Sequence, residues 1–313
     1  MVKKNTRIKA AVVQAASVPF DIKACINKAC KLIEKASSKG SRLILFPEAF
    51  IPAYPWGMGF GTVVGNRTPE GRNTWQKYFD NSFDLNGPEI KTLGNAIKKA
   101  KAYTAIGVIE KDSSSKGTLY CTLLYFGPDG KLIGKHRKLK PTAQERVIWG
   151  EGDGTTLTVI DSKIGRIGGL ICWENYMPLA RMSMYKYGIQ IYLAPTADYR
   201  DSWHATLRHI ACEGRCFVLG CNQYFTKKMY PKNMTKEIVK DLPEVLCRGG
   251  STIISPLGEV LAGPLYNKED ILYADLDLSE ITRAKMDFDV AGHYNKPDIF
   301  ELNIKGQPEP LRG

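Results

Sequence analysis

The sequence predicts an α/β fold, with one mixed sheet or two sheets covered by helices. Three observations predict it. The chain opens strand–helix–strand over residues 8–46, the signature of a parallel pair joined by a crossover. Strand-like and helix-like runs then alternate to about residue 290, with hairpins inserted. No linker or internal repeat divides the 313 residues. The expectation is a single domain over 1–313, with an irregular tail from about residue 291.

Residues 8–15 read as a buried strand. Residues 21–39 carry Ile22, Cys25, Ile26, Ala29, Leu32 and Ile33 at helical spacing and end at Gly40, a natural helix stop. A second buried strand, 42–46, is halted by Pro47. Residues 52–74 are rich in Gly, Pro and aromatics, too apolar for a linker, and read as an ordered loop walling a pocket or packing a subunit. A helix is expected over 89–103 and strands over 104–110, 119–126 and 132–137, the last two joined by a turn at Gly127-Pro128-Asp129-Gly130. Further on, helices are expected over 178–187, 202–216 and 279–288. Strands are expected over 189–194, 217–224 and 271–276, with a hairpin over 251–262. Residues 226–248 read as a polar loop.

Composition narrows the class. No apolar run approaches a membrane span. The start, Met1-Val2-Lys3-Lys4, precedes an apolar run too short for a signal peptide, so a cytoplasmic protein is expected. The eight cysteines form no Cys-x-x-Cys pair and no zinc pattern with the four histidines, which fits reduced thiols and no metal. The net charge of +12 is scattered and no nucleic-acid motif accompanies it, so it reads as a solvated lysine-rich surface.

Residues 165–175 carry the first sign of chemistry. An apolar β-favouring run stops abruptly at Cys172, and a polar helix-compatible segment follows. A strand ending in a tight turn would lift the thiol out of the sheet and aim free N–H groups at whatever it attacks. The same cysteine could equally be a small buried hydrophobe. Glu48 and Lys138 also lie just beyond strands, and strand ends of an α/β fold can converge. A carboxylate could then take a thiol proton while an ammonium offsets charge developing on a substrate. Read singly, Glu48 could cap a helix and Lys138 could be a surface lysine.

The segments Phe46-Pro47-Glu48, Arg137-Lys138-Leu139-Lys140-Pro141-Thr142 and Cys172-Trp173-Glu174-Asn175 resemble, in order and separation, the signatures of the nitrilase (carbon–nitrogen hydrolase) superfamily. Glu145-Arg146, Trp149-Gly150, Ala194-Pro195-Thr196, Gly292-His293-Tyr294 and the hairpin at Pro256-Leu257-Gly258 extend the likeness from about residue 8 to 298. The resemblance implies a two-sheet α-β-β-α sandwich extended by dimerisation. It implies Cys172 as nucleophile, Glu48 as general base, Lys138 as cationic stabiliser and Glu145 as the group orienting that lysine. The Trp173 N–H would join Lys138 at the developing charge. No cofactor or metal is implied.

Trp173-Glu174-Asn175 and the Leu-Lys-Pro-Thr form of the lysine segment resemble true nitrilases, closest to plant-type and related microbial members. The implied reaction converts an organic nitrile to a carboxylic acid and ammonia, with partial release of the amide as a side activity. An amidase acting on carboxamides is the rival enzyme, and a non-enzymatic scaffold or filament protein the rival class. Tyr54, Trp56, Trp149, Thr196 and Tyr199 are candidates for the substrate pocket. A homodimer is expected, with a larger helical homo-oligomer as its extension, although the chain has less of the C-terminal tail that many nitrilases carry. If Cys172 sits exposed beside Lys138 it is expected to be the most reactive thiol, and Cys25, Cys30, Cys212 and Cys216 are expected to be buried.

Overall fold

The computed structural model describes residues 7–232, 241–306 and 310–312. In chain order its elements begin with β1 (Arg7–Gln14), α1 (Ile22–Ser38), β2 (Leu43–Leu45), β3 (Thr62–Val63), β4 (Asn66–Arg67), α2 (Pro69–Asp80), α3 (Pro88–Ala100), β5 (Tyr103–Lys111), β6 (Leu119–Phe126), β7 (Leu132–Arg137) and α4 (Glu145–Ile148). Next come β8 (Val159–Ser162), β9 (Gly165–Gly169), a 3₁₀ turn (Cys172–Tyr176), α5 (Pro178–Lys186), β10 (Ile191–Pro195), α6 (Asp201–Gly214) and β11 (Phe217–Cys221). The chain closes with β12 (Tyr224–Thr226), β13 (Val245–Ile254), β14 (Val260–Tyr266), β15 (Asp270–Asp277), α7 (Ser279–Ala284) and β16 (Leu311–Arg312).

Apart from the β3–β4 hairpin, these strands form two mixed sheets. The first runs β15-β1-β2-β5-β6-β7, and the second β12-β13-β11-β10-β9-β8-β16, with β14 paired to β13. Side-chain alternation explains the layering, because successive strand residues face opposite sides. Ala10, Val12, Leu43 and Leu45 point inward and meet Ile191, Leu193 and Leu219 of the second sheet in one core. Their neighbours Ala11, Val13, Ile44 and Phe46 point outward, beneath Ile26 and Ile33 of α1 and Leu93 and Ile97 of α3. Tyr192, Ala194 and Val218 do the same on the other side, under Met184 of α5 and Trp203 and Leu207 of α6. The result is the expected α-β-β-α sandwich.

The strands at the centre are parallel. β1 pairs with β2 and β2 with β5, while β9 pairs with β10 and β10 with β11. Their carboxyl ends therefore open on a common edge, which is where α/β sheets place ligands.

Three expectations are corrected. The stretch 52–74 is not all loop: it holds the β3–β4 hairpin and the first turn of α2. α2 begins at Pro69 behind the Thr68 cap, whose side chain accepts from the Gly71 N–H. Thr-Pro is the start signal that the aromatic composition obscured. The expected loop 226–248 gives way to β13 from Val245, and residues 233–240 lie outside the described residues, as does Met1-Val2-Lys3-Lys4. The tail is irregular as expected through residue 306, and β16 adds a short parallel edge strand to β8.

Candidate active site

Glu48 leaves β2 three residues after its last strand position and is buried. Its path depends on Gly107 of β5. A Cβ there would stand 2.2 Å from the Pro47 carbonyl oxygen and 2.8 Å from the Glu48 Cα, so only glycine lets the two backbones pass this closely.

Lys138 is the first residue after β7. Its N–H donates to the Cys121 carbonyl at 2.8 Å, and its carbonyl accepts from the Gly152 N–H at 2.8 Å. The backbone is thus held on both sides, and the side chain is fully buried.

Cys172 sits where β9 has ended and the 3₁₀ turn begins, with φ of +53°. A non-glycine residue in the left-handed region is strained, and such strain concentrates at functional turns. The Trp-Glu-Asn that follows secures the turn. The Glu174 carboxylate accepts from the Ile171 N–H at 2.6 Å, and Asn175 Nδ2 donates to the carbonyls of Leu170 and Cys172 at 2.9 and 2.8 Å. Tyr192 donates to Asn175 Oδ1 at 2.8 Å, anchoring the turn to β10.

These three side chains converge. Lys138 Nζ donates to Glu48 Oε1 and to Glu145 Oε2, each at 2.7 Å. Glu145, at the start of α4, also accepts from Tyr54 Oη at 2.6 Å and from the Thr142 N–H at 2.6 Å. Cys121 donates to Glu48 Oε1 at 3.6 Å. Glu48 Oε2 is buried with no hydrogen-bond partner among protein atoms, while the Cys172 thiol helps to lower the Glu48 pKa. Thr196, just beyond β10, donates to Cys172 Sγ at 3.1 Å and accepts from the Asp198 N–H at 2.9 Å.

The electrostatics follow from two carboxylates facing one ammonium in a dry site. Burial pushes Glu48 above the usual carboxylate range, opposed by Lys138 and reinforced by Glu145. Burial alone would depress Lys138, but Glu48, Cys172 and Glu145 outweigh it and hold its pKa well above the usual lysine value. Burial raises the Cys172 thiol, Glu48 raises it further, and Lys138 only partly offsets them. Cys172 therefore rests as a thiol beside a base, not as a free thiolate.

A cavity of about 210 Å³ opens onto the sulfur, lined by Tyr54, Glu145, Trp173, Asp198, Tyr199 and Arg200 among others. An adjoining cavity of about 470 Å³ shares Tyr54, Thr142 and Glu145 and is walled by Trp56 and Met58. Of the five expected pocket residues, Tyr54 and Tyr199 line the cavity at the sulfur, and Thr196 touches the sulfur itself. Trp56 lines the adjoining cavity, its ring 4.5 Å from that of Tyr54. Trp149 is corrected: it is buried behind Tyr54, ring centroids 5.7 Å apart, and lines neither cavity. The sequence reading missed Asp198 and Arg200, and it quoted Thr142 in the lysine segment without placing it in the pocket. The Asp198 carboxylate accepts from Trp173 Nε1 at 2.9 Å and from Arg200 Nε at 2.9 Å, fixing the cavity mouth. For Asp198 and Arg200 the one available signal was proximity to Thr196 in sequence; for Thr142 it was membership of the lysine segment.

The cysteine expectation is also corrected. Cys172 is only 4% exposed, whereas Cys30 and Cys212 are partly exposed; Cys25 and Cys216 are buried as expected.

Stacked mixed sheets with a thiol, a lysine and a carboxylate at one edge describe a class of hydrolases. The chain belongs to the carbon–nitrogen hydrolase family, whose model matches residues 9–286. It is 53% identical to an aliphatic nitrilase of Sinorhizobium fredii over 97% of each chain. It is 49% identical to a bifunctional nitrilase/nitrile hydratase of Lupinus angustifolius, covering 96% of this chain and 87% of the relative. The crystal structure of Nit3 from Saccharomyces cerevisiae, a member of branch 10 of the nitrilase superfamily, shares the fold with a TM-score of 0.70 at 24% identity. That match covers 94% of this chain and 97% of the other.

Proposed function

We propose that this protein hydrolyses an organic nitrile to the carboxylic acid and ammonia through a covalent intermediate on Cys172. The observation that carries the reading is the convergence of the Cys172 thiol, the Glu48 carboxylate and the Lys138 ammonium, with Lys138 held at 2.7 Å by both Glu48 and Glu145. Glu48 accepts the thiol proton as sulfur bonds the nitrile carbon. Negative charge develops on nitrogen, and Lys138 and the Trp173 N–H offset it. The first turn of a helix leaves such N–H groups without a partner in the helix. The proton passes from Glu48 to nitrogen, giving a thioimidate. Water adds across the C=N bond, ammonia leaves, and a thioester remains. A second water, deprotonated by Glu48, releases the acid and restores the thiol.

The tetrahedral intermediate carries two leaving groups. If sulfur leaves instead of ammonia, the product is the amide. The Lupinus relative described as bifunctional supports including this branch. Glu145 serves as a positioning residue, held by Tyr54 and Thr142 and holding Lys138. We read the chain as one functional unit, because both sheets supply site residues and share one core.

The functional protein is read as a homodimer at least. Tyr176, Met177 and Leu179, adjacent in the 3₁₀ turn and the start of α5, are all exposed, Leu179 at 71%. Exposed apolar clusters of this kind are frequent interaction sites. The large apolar residues of α6 are buried in the chain's own core, so the surface is narrower than the sequence implied. No described helix is long and apolar enough to cross a membrane. Eight unpaired thiols support a reducing, cytoplasmic setting.

The test is a panel of aliphatic, aromatic, arylacetonitrile and cyano-amino acid substrates, each beside its carboxamide, with acid, amide and ammonia quantified. Nitrile turnover well above carboxamide turnover is expected. Faster carboxamide turnover would make the protein an amidase, and no ammonia from any substrate would favour a scaffold.

A further inference from the structure

Cys172 and Lys138 come from different sheets, and one buried carboxylate ties their backbones together. Glu174 Oε1 accepts from the Leu139 N–H at 2.6 Å, beside Lys138. Glu174 Oε2 accepts from the Ile171 N–H at 2.6 Å, beside Cys172. His136, two residues before Lys138, closes the arrangement: its Nε2 stands 3.0 Å from Oε2 and 3.1 Å from Oε1. Both side chains are fully buried.

The other imidazole nitrogen settles the protonation. His136 Nδ1 lies 2.9 Å from the Thr156 carbonyl oxygen, which can only accept, so Nδ1 carries a proton. A neutral imidazole would then present the Nε2 lone pair to a carboxylate. A proton between Nε2 and Glu174 removes that repulsion and balances the buried charge.

We propose that His136 is a positioning residue for the nitrile-hydrolysing reaction: as an imidazolium on Glu174, it closes a clasp that fixes the Lys138 ammonium against the Cys172 turn. The inference rests on the reaction proposed above. Its consequence is a pH dependence. Burial lowers the His136 pKa, but Glu174 and the Thr156 carbonyl raise it more, leaving it above 6.5. The charged clasp is therefore complete below the ordinary histidine value and is lost as pH rises through the higher folded value. Glu174 is the titratable side chain bonded to this ring. Around the pair, Cys121, Tyr125 and Tyr192 lie in the field of Glu174 from β6 and β10, and each is itself held neutral by burial.

Two variants and one spectrum test this. His136→Leu removes both donors, and kcat should fall about ten- to a hundred-fold, the scale of a charged hydrogen bond, with KM little changed. His136→Gln keeps one donor toward Glu174 but does not titrate, so it should recover most of that loss and lose the alkaline limb expected of the wild type. Ring ¹⁵N NMR of the resting protein, with the His136 signals assigned by their loss in His136→Gln, should show both nitrogens protonated at neutral pH. Wild-type kcat in folded His136→Leu, an unchanged alkaline limb in His136→Gln, or an unprotonated Nε2 at neutral pH would each overturn the proposal. If His136→Leu does not fold, His136→Gln and the spectrum decide. The spectrum needs no substrate, so absence of nitrile turnover defeats the functional reading without touching the protonation result.

Discussion

Glu48 is raised by burial even with the Lys138 ammonium at 2.7 Å, and in the proposed mechanism that sets the acid side of the pH profile. The base form is lost as pH falls through a value above the usual 4.5, so the acid limb of kcat/KM should lie above the ordinary carboxylate range. Glu48→Gln keeps the shape but not the base. It should lower kcat by roughly two to four powers of ten and abolish that limb. A retained acid limb in this variant would move the base elsewhere. The thiols give a second test. Brief iodoacetamide treatment, mapped by mass spectrometry, should mark Cys30 and Cys212 before Cys172, because reactivity needs access and thiolate, and the resting Cys172 has little of either. Rapid selective labelling of Cys172 would contradict the protonation state assigned to it. The convergence of Glu48, Lys138 and Cys172 was legible because each lies just past a strand within a recognisable motif. Asp198 and Arg200 were not, since a charged pair in a loop looks the same in sequence whether it caps a pocket or faces water.

The elements place these residues through close backbone packing more than through side-chain bonds. β5 carries Gly107 against residues 47–49, and β9 carries Gly169 where a Cβ would meet the Leu193 carbonyl oxygen. Gly107→Ala must push the Glu48 segment outward. It should destabilise the protein by about 1–3 kcal/mol, as overpacking does, and reduce turnover more than that stability loss explains. Denaturant unfolding beside kinetics reads both quantities, and unchanged kinetics would show that the Glu48 path has slack. Short, nearly continuous apolar runs made β1, β5 and β6 readable to within a residue or two. α2 escaped because Phe60, Trp75 and Tyr78 pack it onto the preceding loop, a tertiary contact that local composition does not report.

At the scale of the molecule, the sandwich buries its core between two sheets and leaves an apolar surface just past the cysteine turn. Tyr176 touches both Trp173, at the cavity, and Trp203 of α6, with ring centroids 5.8 and 6.0 Å apart. Association there should therefore be felt at the site. Leu179→Asp is expected to shift the protein toward monomer in light scattering and to lower activity at low protein concentration. A wild-type monomer at micromolar concentration would remove the dimer from the account. The layered architecture was legible from the alternation of elements and the resemblance together. Alternation alone left one sheet or two open, because strand pairing between distant segments such as β1 and β15 has no local signal.

The central claim is that one sulfur among eight carries the reaction. Intact-protein mass spectrometry on enzyme quenched during nitrile turnover, followed by peptide mapping, tests it most directly. The account predicts an adduct with the mass of a thioimidate or thioester on Cys172 and on no other cysteine. It also predicts that folded Cys172→Ala forms no adduct, acid or amide. Near-normal turnover by that variant, or an adduct confined to another cysteine, would contradict it.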